Sequence, residues 1–409
     1  MLQLLRSNRD IRIVFFAQIV SYLGDWFTFV AISAAVYDYT NSKFLVSLVM
    51  VCESIPAFLL SPVGGPVADR FDRRKVLVVV SSAQAIAALG FLLISRDTVW
   101  VGFVSLSLVA GLAAFVNPAV GASVPNLARN EDELQKASQL FGSTWGIMMT
   151  VGASLGGVFA ALLGRRAAYI ADVITFIIAA ILFSMVKTRM QQHDTSSSQR
   201  VHPIADMREA VHVARNDRVI GSLMMSKTVW AIGAGLVSQL AVLSTDVFGT
   251  GDAGIGAMVA ARGVGSAVAP IIAIRMTRGD LSNILFLCGA GTVVFGPLYI
   301  GAAWIPWFIP ALMLITMASI GSGSQWVAST YGLQIRTPDH IRGRVIAGDF
   351  ALVTLILGAT SALAGVVANH LGVQWTITAF AGVSLFCALT YSAVIHPIRK
   401  ELKTQYPPI

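Results

Sequence analysis

The feature that most constrains this chain is a succession of apolar runs, each long enough to cross a lipid bilayer. A membrane-spanning helix needs about 20 residues to cross roughly 30 Å of hydrocarbon, and runs of that length follow one another along the 409 residues. Charged residues make up only 12% of the chain, whereas they make up about 25% of a soluble domain. The chain lacks the polar surface of a soluble protein and is predicted to lie in a membrane.

We predict an all-α membrane protein with twelve transmembrane helices in two six-helix halves. The N-terminal half covers residues 1–187, a cytoplasmic linker covers 188–218, and the C-terminal half covers 219–409. The end of the linker, from Ile204 to Val219, has the apolar spacing of an amphipathic helix at the membrane surface. The predicted spans lie at about residues 11–37, 44–67, 75–95, 98–125, 137–163, 166–187, 219–247, 252–275, 281–301, 303–330, 344–368 and 374–395.

The distribution of Lys and Arg predicts the orientation of the chain. Cytoplasmic segments of membrane proteins carry an excess of these residues. If both termini are cytoplasmic, most of the Lys and Arg residues lie on that side, and the outside segments hold only Lys43, Arg96, Arg165 and Arg166. We therefore expect a multi-pass plasma-membrane protein with both termini in the cytoplasm.

The two halves resemble each other in sequence. Pro62, near the end of the second span, matches Pro270 near the end of the eighth, and Arg129 after the fourth span matches Arg336 after the tenth. Two related halves are the expected plan of a carrier in which one cavity opens alternately to each side of the membrane.

The loop after the second span carries a known signature. The run from Gly65 to Lys75, GPVADRFDRRK, resembles the G-x-x-x-D-R-x-G-R-R motif of the major facilitator superfamily, and it departs from that motif at Asp72, where Gly is usual. The resemblance covers the whole chain. It implies the twelve-helix fold of that superfamily and secondary transport of a small molecule.

The resemblance also implies a cytoplasmic gate. Asp69 would lie at the cytoplasmic end of the second span and face the positive N-terminal end of the eleventh, while the arginines of the motif would pair across the gate. The alternative is that the loop has no gating role and is positively charged only because cytoplasmic loops generally are. With Asp349 of span eleven, which we place near the end of its span, the predicted gating residues are Gly65, Asp69, Arg70, Arg73, Arg74 and Asp349.

Within the superfamily, the chain is most similar to the third drug:proton antiporter group, which includes macrolide-efflux and enterobactin-export carriers. The similar stretches are Gly24-Asp25 in the first span, Asn117 to Leu134, and Pro338 to Val345. This similarity implies export of amphipathic small molecules, drug-like or siderophore-like, driven by protons. Substrates vary across the group, so the similarity does not identify one.

A glycine motif in the fifth span bears on the direction of transport. The run Gly152-Ala-Ser-Leu-Gly156-Gly157 resembles the antiporter motif G-P-x-x-G-G, but Ala153 replaces the proline, which weakens the case for antiport. Small residues at this spacing also allow two helices to pack closely. We predict Gly152, Gly156 and Gly157 as a helix-packing motif.

Two carboxyl groups lie deep in predicted spans. Asp25 is 14 residues from the start of the first span, and Glu53 is about 9 residues into the second, so both fall near the middle of the bilayer. Charges in spans are costly and are therefore functional candidates. Because desolvation favours the neutral form of a carboxyl group, we predict proton coupling at Asp25 and Glu53; the alternative is a structural role. Asp172 is placed nearer the end of the sixth span.

Cationic and aromatic residues in spans suggest a substrate cavity. Lys227 lies in the seventh span and Arg262 in the eighth, where the internal repeat places Arg262 at the depth of Glu53. Trp230 shares a helix face with Lys227, and Trp26 adjoins Asp25; the alternative for either tryptophan is lipid contact or packing. The predicted cavity residues are Trp26, Lys227, Trp230 and Arg262.

Other functions have less support in the sequence. The net charge of +8 comes from short segments between apolar runs, so we expect no nucleic-acid partner. The three cysteines lie inside apolar runs, and no metal-ligand, nucleophile or phosphate-binding motif is evident, so we expect no metal, cofactor or enzymatic activity. The expected partners are a small-molecule substrate, protons and the bilayer, with the protein a monomer. A lipid or lysolipid translocase and a non-transporting membrane binding or regulatory protein remain the alternatives.

Overall fold

The computed structural model describes residues 2–190, 212 and 215–405, and the regular structure of these residues is entirely helical. The predicted linker, with its amphipathic helix from Ile204, lies largely outside the described residues. The helices are α1 (Leu2–Ser7), α2 (Arg9–Thr40), α3 (Lys43–Arg70), α4 (Arg73–Ala88), α5 (Val99–Leu127), α6 (Glu131–Leu163), α7 (Arg165–Ser184), α8 (Arg218–Ala234), α9 (Leu240–Asp246), α10 (Gly251–Thr277), α11 (Leu281–Trp304), α12 (Phe308–Arg336), α13 (Asp339–Leu371) and α14 (Val373–Gln405), with short 3-10 turns at Leu89–Leu93 and Gly235–Gln239.

Eleven helical segments in the described part of the chain are long and apolar enough to span a membrane. The α4 segment reaches this length with its 3-10 turn, and α8, the second 3-10 turn and α9 form one segment, Arg218–Asp246. Helix α6 contributes a shorter apolar stretch, Ile147–Leu163. The prediction of an all-α protein with many membrane spans is therefore confirmed at this level.

Polar caps fix where several helices begin. Asn8 caps α2 by accepting a hydrogen bond from the amide of Ile11 at 3.1 Å, and Asn130 caps α6 through the amide of Glu133 at 2.8 Å. Asp72 caps α4 and Asp280 caps α11 in the same way. Such side chains satisfy amide groups that lack a partner inside the helix. The departure from the family motif at Asp72 thus has a local structural role.

The N-terminal segment is tied to the start of α6. The Asn8 amide donates to the Leu127 carbonyl and to Glu133 Oε2, both at 2.9 Å. Partial burial acts to raise the pKa of Glu133, but the hydrogen bonds from Asn8 and from the Arg129 amide outweigh it and hold the pKa below its usual value.

The chain forms two compact units. The first contains residues 1–41, 52–201 and 250–260, and the second contains residues 42–51, 202–249 and 261–409. Apolar side chains from several helices fill each core, among them Ile11, Leu77 and Phe183 in the first unit and Leu223 and Ile284 in the second. The first turns of α3 thus belong to the second unit, and the first turns of α10 belong to the first.

Candidate functional site

Three carboxyl groups come together inside the first unit. Asp25, halfway along α2, is partly buried, and its charged neighbours are Asp172 of α7 and Glu53 of α3. The structure therefore brings together the two carboxyl residues predicted for proton coupling. It adds a third that the sequence analysis placed elsewhere.

Asp172 is the most enclosed member of this cluster, with 1% of its surface exposed. Its Oδ2 accepts a hydrogen bond from Thr28 at 2.7 Å, and the Thr175 hydroxyl lies 3.5 Å from its Oδ1. Gly24 leaves the space for this carboxylate, because a Cβ there would overlap it. Helix α7 is short, so its eighth residue already lies opposite the middle of the longer α2.

A chain of polar side chains adjoins Asp25. The Tyr22 ring is an electrostatic neighbour of Asp25. Its hydroxyl accepts a hydrogen bond from Gln18 at 3.0 Å and donates to Asn117 Oδ1 at 3.2 Å. The Tyr22 hydroxyl both accepts and donates a hydrogen bond here, so this chain extends the polar surroundings of Asp25.

The second unit holds a buried ion pair. Lys227 Nζ of α8 lies 2.5 Å from Asp349 Oδ2 of α13, and the two residues are 3% and 1% exposed. The sequence predicts Lys227 in a cavity and Asp349 in a gate. The structure instead makes them direct partners.

Aromatic rings surround this ion pair. Lys227 Nζ lies 5.0 Å from the centre of the Trp326 ring, which is a cation–π distance. The Trp326 ring packs edge-on against Trp230 at 5.9 Å and against Phe350 at 6.4 Å, and Trp230 also contacts Phe295 at 6.1 Å. The sequence analysis identified Trp230 but not Trp326, which comes from a different helix.

Arg262 has a different neighbour in the second unit. The guanidinium group of Arg262, in α10, is an electrostatic neighbour of the Tyr299 hydroxyl of α11. Glu53 belongs to the first unit and Arg262 to the second, and their predicted equivalence in depth stays a prediction.

The predicted glycine motif lies where α6 meets two other segments of the first unit. A Cβ at Gly152 would lie 2.9 Å from the Trp26 side chain, and one at Gly156 would lie 2.9 Å from the Phe27 Cα. A Cβ at Gly157 would lie 2.9 Å from the Gly256 Cα, at the start of α10. Each glycine is thus a point of close approach between helices, and Trp26 packs against one of them.

The signature loop is tied to helix ends within the first unit. Arg73 donates from Nε to the Ala68 carbonyl at 3.0 Å and from Nη1 to the carbonyls of Ala122 and Met190 at 2.7 and 2.9 Å. Arg74 donates to the Ser184 carbonyl. A cation is favourable beside carbonyl groups at the C-terminal ends of helices.

The other residues of the signature make fewer contacts in the structure. Arg70 is exposed, and a Cβ at Gly65 would meet nothing within 4 Å. The backbone of Asp69 is helical, but its side chain lies outside the part of the chain that the structure describes.

A second charge cluster lies at the opposite ends of the helices from the signature loop. Arg165, the first residue of α7, donates from Nε to Asp252 Oδ2 at 2.8 Å and from Nη2 to Asp252 Oδ1 at 2.6 Å. It also donates to Asp38, near the end of α2, at 2.6 Å. All three residues belong to the first unit. The sequence analysis treated Arg165 only as an outside charge.

No group of His, Cys, Asp and Glu side chains with the arrangement of a metal site occurs among the residues that the structure describes. The buried charged residues in this part of the chain are Asp172 of the carboxyl cluster, the Lys227–Asp349 pair, and Asp10, which accepts hydrogen bonds from Thr188.

Known proteins match this chain along most of its length. The sequence profile described as "Major Facilitator Superfamily" matches residues 14–347. The staphyloferrin A transporter of Staphylococcus aureus is 23% identical over 401 residues, which cover 95% of this chain and 96% of that protein. The multidrug efflux pump Tap of Mycobacterium bovis is 24% identical over 387 residues, covering 90% and 89%.

A similar fold occurs in solved structures. The crystal structure of a bacterial homologue of the human lysosomal transporter Spinster superposes with a TM-score of 0.75 at 14% identity, covering 98% of this chain and 99% of that chain. The resemblance of the sequence to this fold family is thus supported by both kinds of comparison.

Proposed function

Because the chain belongs to the Major Facilitator Superfamily, we propose that it is a proton-coupled exporter of amphipathic small molecules that works by alternating access. The family and the matched relatives are transporters, so the chain is a multi-pass membrane transporter of small molecules and not an enzyme. We propose the plasma membrane as its location, because the matched relatives are transporters from bacteria. The direction, the coupling ion and the substrate class are also proposed.

The carboxyl cluster of Asp25, Glu53 and Asp172 is the observation that carries proton coupling. Carboxylates held close together repel each other, and removal from water disfavours their charged forms. Both effects favour uptake of a proton by the cluster. The protonation then belongs to the three carboxyl groups together and not to one residue. Transport is coupled if the cluster binds and releases that proton on opposite sides of the membrane.

The architecture we propose has twelve spans in two six-helix halves, 1–187 and 219–409, joined by the linker at 188–218. Helix α6 supplies the twelfth span, since its apolar stretch Ile147–Leu163 continues into a helix of 33 residues. The internal repeat supports alternating access, because related halves are the usual basis of that mechanism. We propose a monomer with both termini in the cytoplasm, as the charge distribution indicates.

Two observations support export and the position of the substrate. The efflux pump Tap and a putative bacilysin exporter are among the relatives named for export. Trp26, Lys227, Trp230 and Arg262 are the proposed cavity residues, and the aromatic rings near Lys227 support a site suited to an amphipathic molecule.

The signature loop is the proposed cytoplasmic gate, with Gly65, Asp69, Arg70, Arg73 and Arg74 as its residues. The contacts of Arg73 with three backbone carbonyl groups support a rigid anchor in this loop. The ion pair of Asp349 with Lys227 favours a role for Asp349 at the substrate site instead of in the gate.

Proteoliposomes test proton coupling directly. We expect a pH gradient, acidic on the side to which substrate is exported, to drive uphill movement of a fluorescent amphipathic substrate such as ethidium. Asp25→Asn and Glu53→Gln should abolish uphill movement but retain downhill exchange, because the cavity remains. The matched control is Asp97→Asn, which changes an exposed loop carboxyl group. Wild-type uphill rates in both variants would exclude Asp25 and Glu53 as the coupling residues.

A further inference from the structure

We propose that the Lys227–Asp349 pair is an exchange site for an organic cation. A substrate with a protonated amine or another lipophilic cation takes the place of the Lys227 ammonium group beside Asp349, and Lys227 releases one proton. This inference rests on the proposed export function, and it names both the substrate class and a second group that exchanges a proton for it.

The pair already has the composition of a cation site. The Lys227 ammonium group lies between a carboxylate oxygen at 2.5 Å and the face of Trp326 at 5.0 Å. A carboxylate combined with aromatic rings is the arrangement by which proteins recognise organic cations. The side chain of Lys227 therefore occupies the position that a cationic ligand would take.

Unpaired polar atoms beside the pair point to a ligand that donates hydrogen bonds. Within the described residues, Asp349 Oδ1 and Gln325 Oε1 are buried acceptors without a hydrogen-bond partner, and Trp230 Nε1 is a buried donor without one. Asp349 and Gln325 are 1% and 0% exposed. Gln325 is fixed in place, because its amide donates to Ser226 Oγ at 2.9 Å. Buried acceptors that lack a donor are costly, and an ammonium group bound at Asp349 would supply a donor to its Oδ1.

Charge balance requires the proton to leave. Lys227 and Asp349 together are neutral. A cation that binds Asp349 would leave two positive charges against one carboxylate, and an uncompensated buried charge is unfavourable. Loss of one proton from Lys227 Nζ to water on the open side restores neutrality. Lysine can do this when buried, whereas arginine stays protonated.

No other nearby group takes this role among the described residues. Helix α11 presents Cys288, whose charged neighbours are Lys227 and Asp349. Helix α14 presents Tyr391, whose hydroxyl donates to the Ser222 carbonyl at 2.9 Å. Helix α12 presents the uncharged Gln325 and Trp326. The thiol and the phenol are neutral when protonated, so Lys227 is the group whose deprotonation removes a positive charge.

Binding of the phenethylammonium ion, an aromatic amine that is protonated at neutral pH, to the full-length protein in detergent tests the proposal. Calorimetric titration in buffers of different ionisation enthalpy counts the protons released. We expect about one proton per bound cation, and an affinity that rises about tenfold per pH unit while Lys227 is charged in the free protein. Binding without proton release, or tighter binding of the anion phenylacetate, would overturn the proposal.

Two variants and a control localise the effect. Lys227→Arg keeps the ion pair but cannot release the proton, so it should lose at least tenfold in cation affinity while remaining folded. Asp349→Asn should lose cation binding. The matched control is Lys43→Arg, which makes the same change in another Lys–Asp pair, Lys43–Asp246, and should bind as wild type. Wild-type affinity and proton release in Lys227→Arg would refute the exchange.

The two proposals fail separately. If efflux is proton-driven through Asp25 and Glu53 but cation binding releases no proton, the exchange at Lys227 is wrong and the proposed function stands. If binding releases a proton but a pH gradient drives no efflux, the exchange stands and the proposed coupling of transport is wrong.

Discussion

Arg165 offers a test of how charge holds together the adjoining ends of α2, α7 and α10. Arg165→Gln removes a two-bond contact with Asp252, whose side chain is 12% exposed, and a contact with Asp38, whose side chain is 49% exposed. Hydrogen bonds to charged groups contribute about 1.5–3 kcal/mol, and an exposed pair adds at most about 1 kcal/mol. Only Asp252 belongs to α10, so we expect the attachment of the start of α10 to weaken by about 1.5–3 kcal/mol, which is about 12- to 150-fold in the equilibrium.

The assay is cysteine labelling at a buried position of the attached segment. Ile255 lies one turn beyond Asp252 and is 2% exposed, so Ile255→Cys should react slowly with N-ethylmaleimide while the contact holds. The three native cysteines are first replaced by serine. If release and return are fast relative to labelling, the labelling rate follows the released population and should rise by the factor estimated above.

Two further variants decide whether the guanidinium group is responsible. Arg165→Lys keeps the charge but not the two-bond geometry, and it should give an intermediate labelling rate. Arg166→Gln changes the exposed neighbouring arginine and should leave the rate unchanged. A change of less than about threefold for Arg165→Gln, or an equal change for Arg166→Gln, would refute the assignment of this contact.

Three other outcomes are expected. Arg73→Gln removes hydrogen bonds to three carbonyl groups and should lower the free energy of unfolding by about 1–3 kcal/mol, measured by thermal unfolding in detergent, whereas Arg70→Gln at an exposed site should have little effect. Gly156→Ala places a methyl group against the Phe27 backbone and should destabilise by about 1–3 kcal/mol, while Gly121→Ala, where a Cβ meets nothing, should be neutral or stabilising in the same measurement. A cysteine at Asp97 should react with a membrane-impermeant maleimide from outside the cell; reaction only from inside would reverse the proposed orientation.

Local patterns in the sequence predicted the features that depend on one helix at a time. The apolar runs predicted most of the spans, because a helix in lipid must satisfy its own backbone and present apolar side chains. The depth of Asp25 and Glu53 followed from counting residues along two helices. The depth of Asp172 could not be predicted by the same counting. Helix α7 begins deeper in the bundle, relative to α2, than the predicted span boundaries implied.

The sequence did not predict which residues form pairs between helices that are distant along the chain. Lys227 and Asp349 are 122 positions apart, and nothing in the spacing of either helix indicates which faces meet. Trp326 was missed for the same reason, since it joins the site only through the packing of α12 on α8. Asp72 shows the converse case, in which a departure from a family motif is explained by a cap that only the backbone geometry reveals.

The inclusion of residues 250–260 in the first unit has a consequence for biosynthesis. The ribosome completes residues 1–187 well before it reaches residue 260, and at about 5–20 residues per second the interval is roughly 4 to 15 s. During that time Arg165 has no Asp252 to bind, and Gly157 has no Gly256 against it. The nascent N-terminal bundle is therefore in the membrane before the segment that completes one of its faces has been made. We expect an insertase or chaperone to be most useful at this stage.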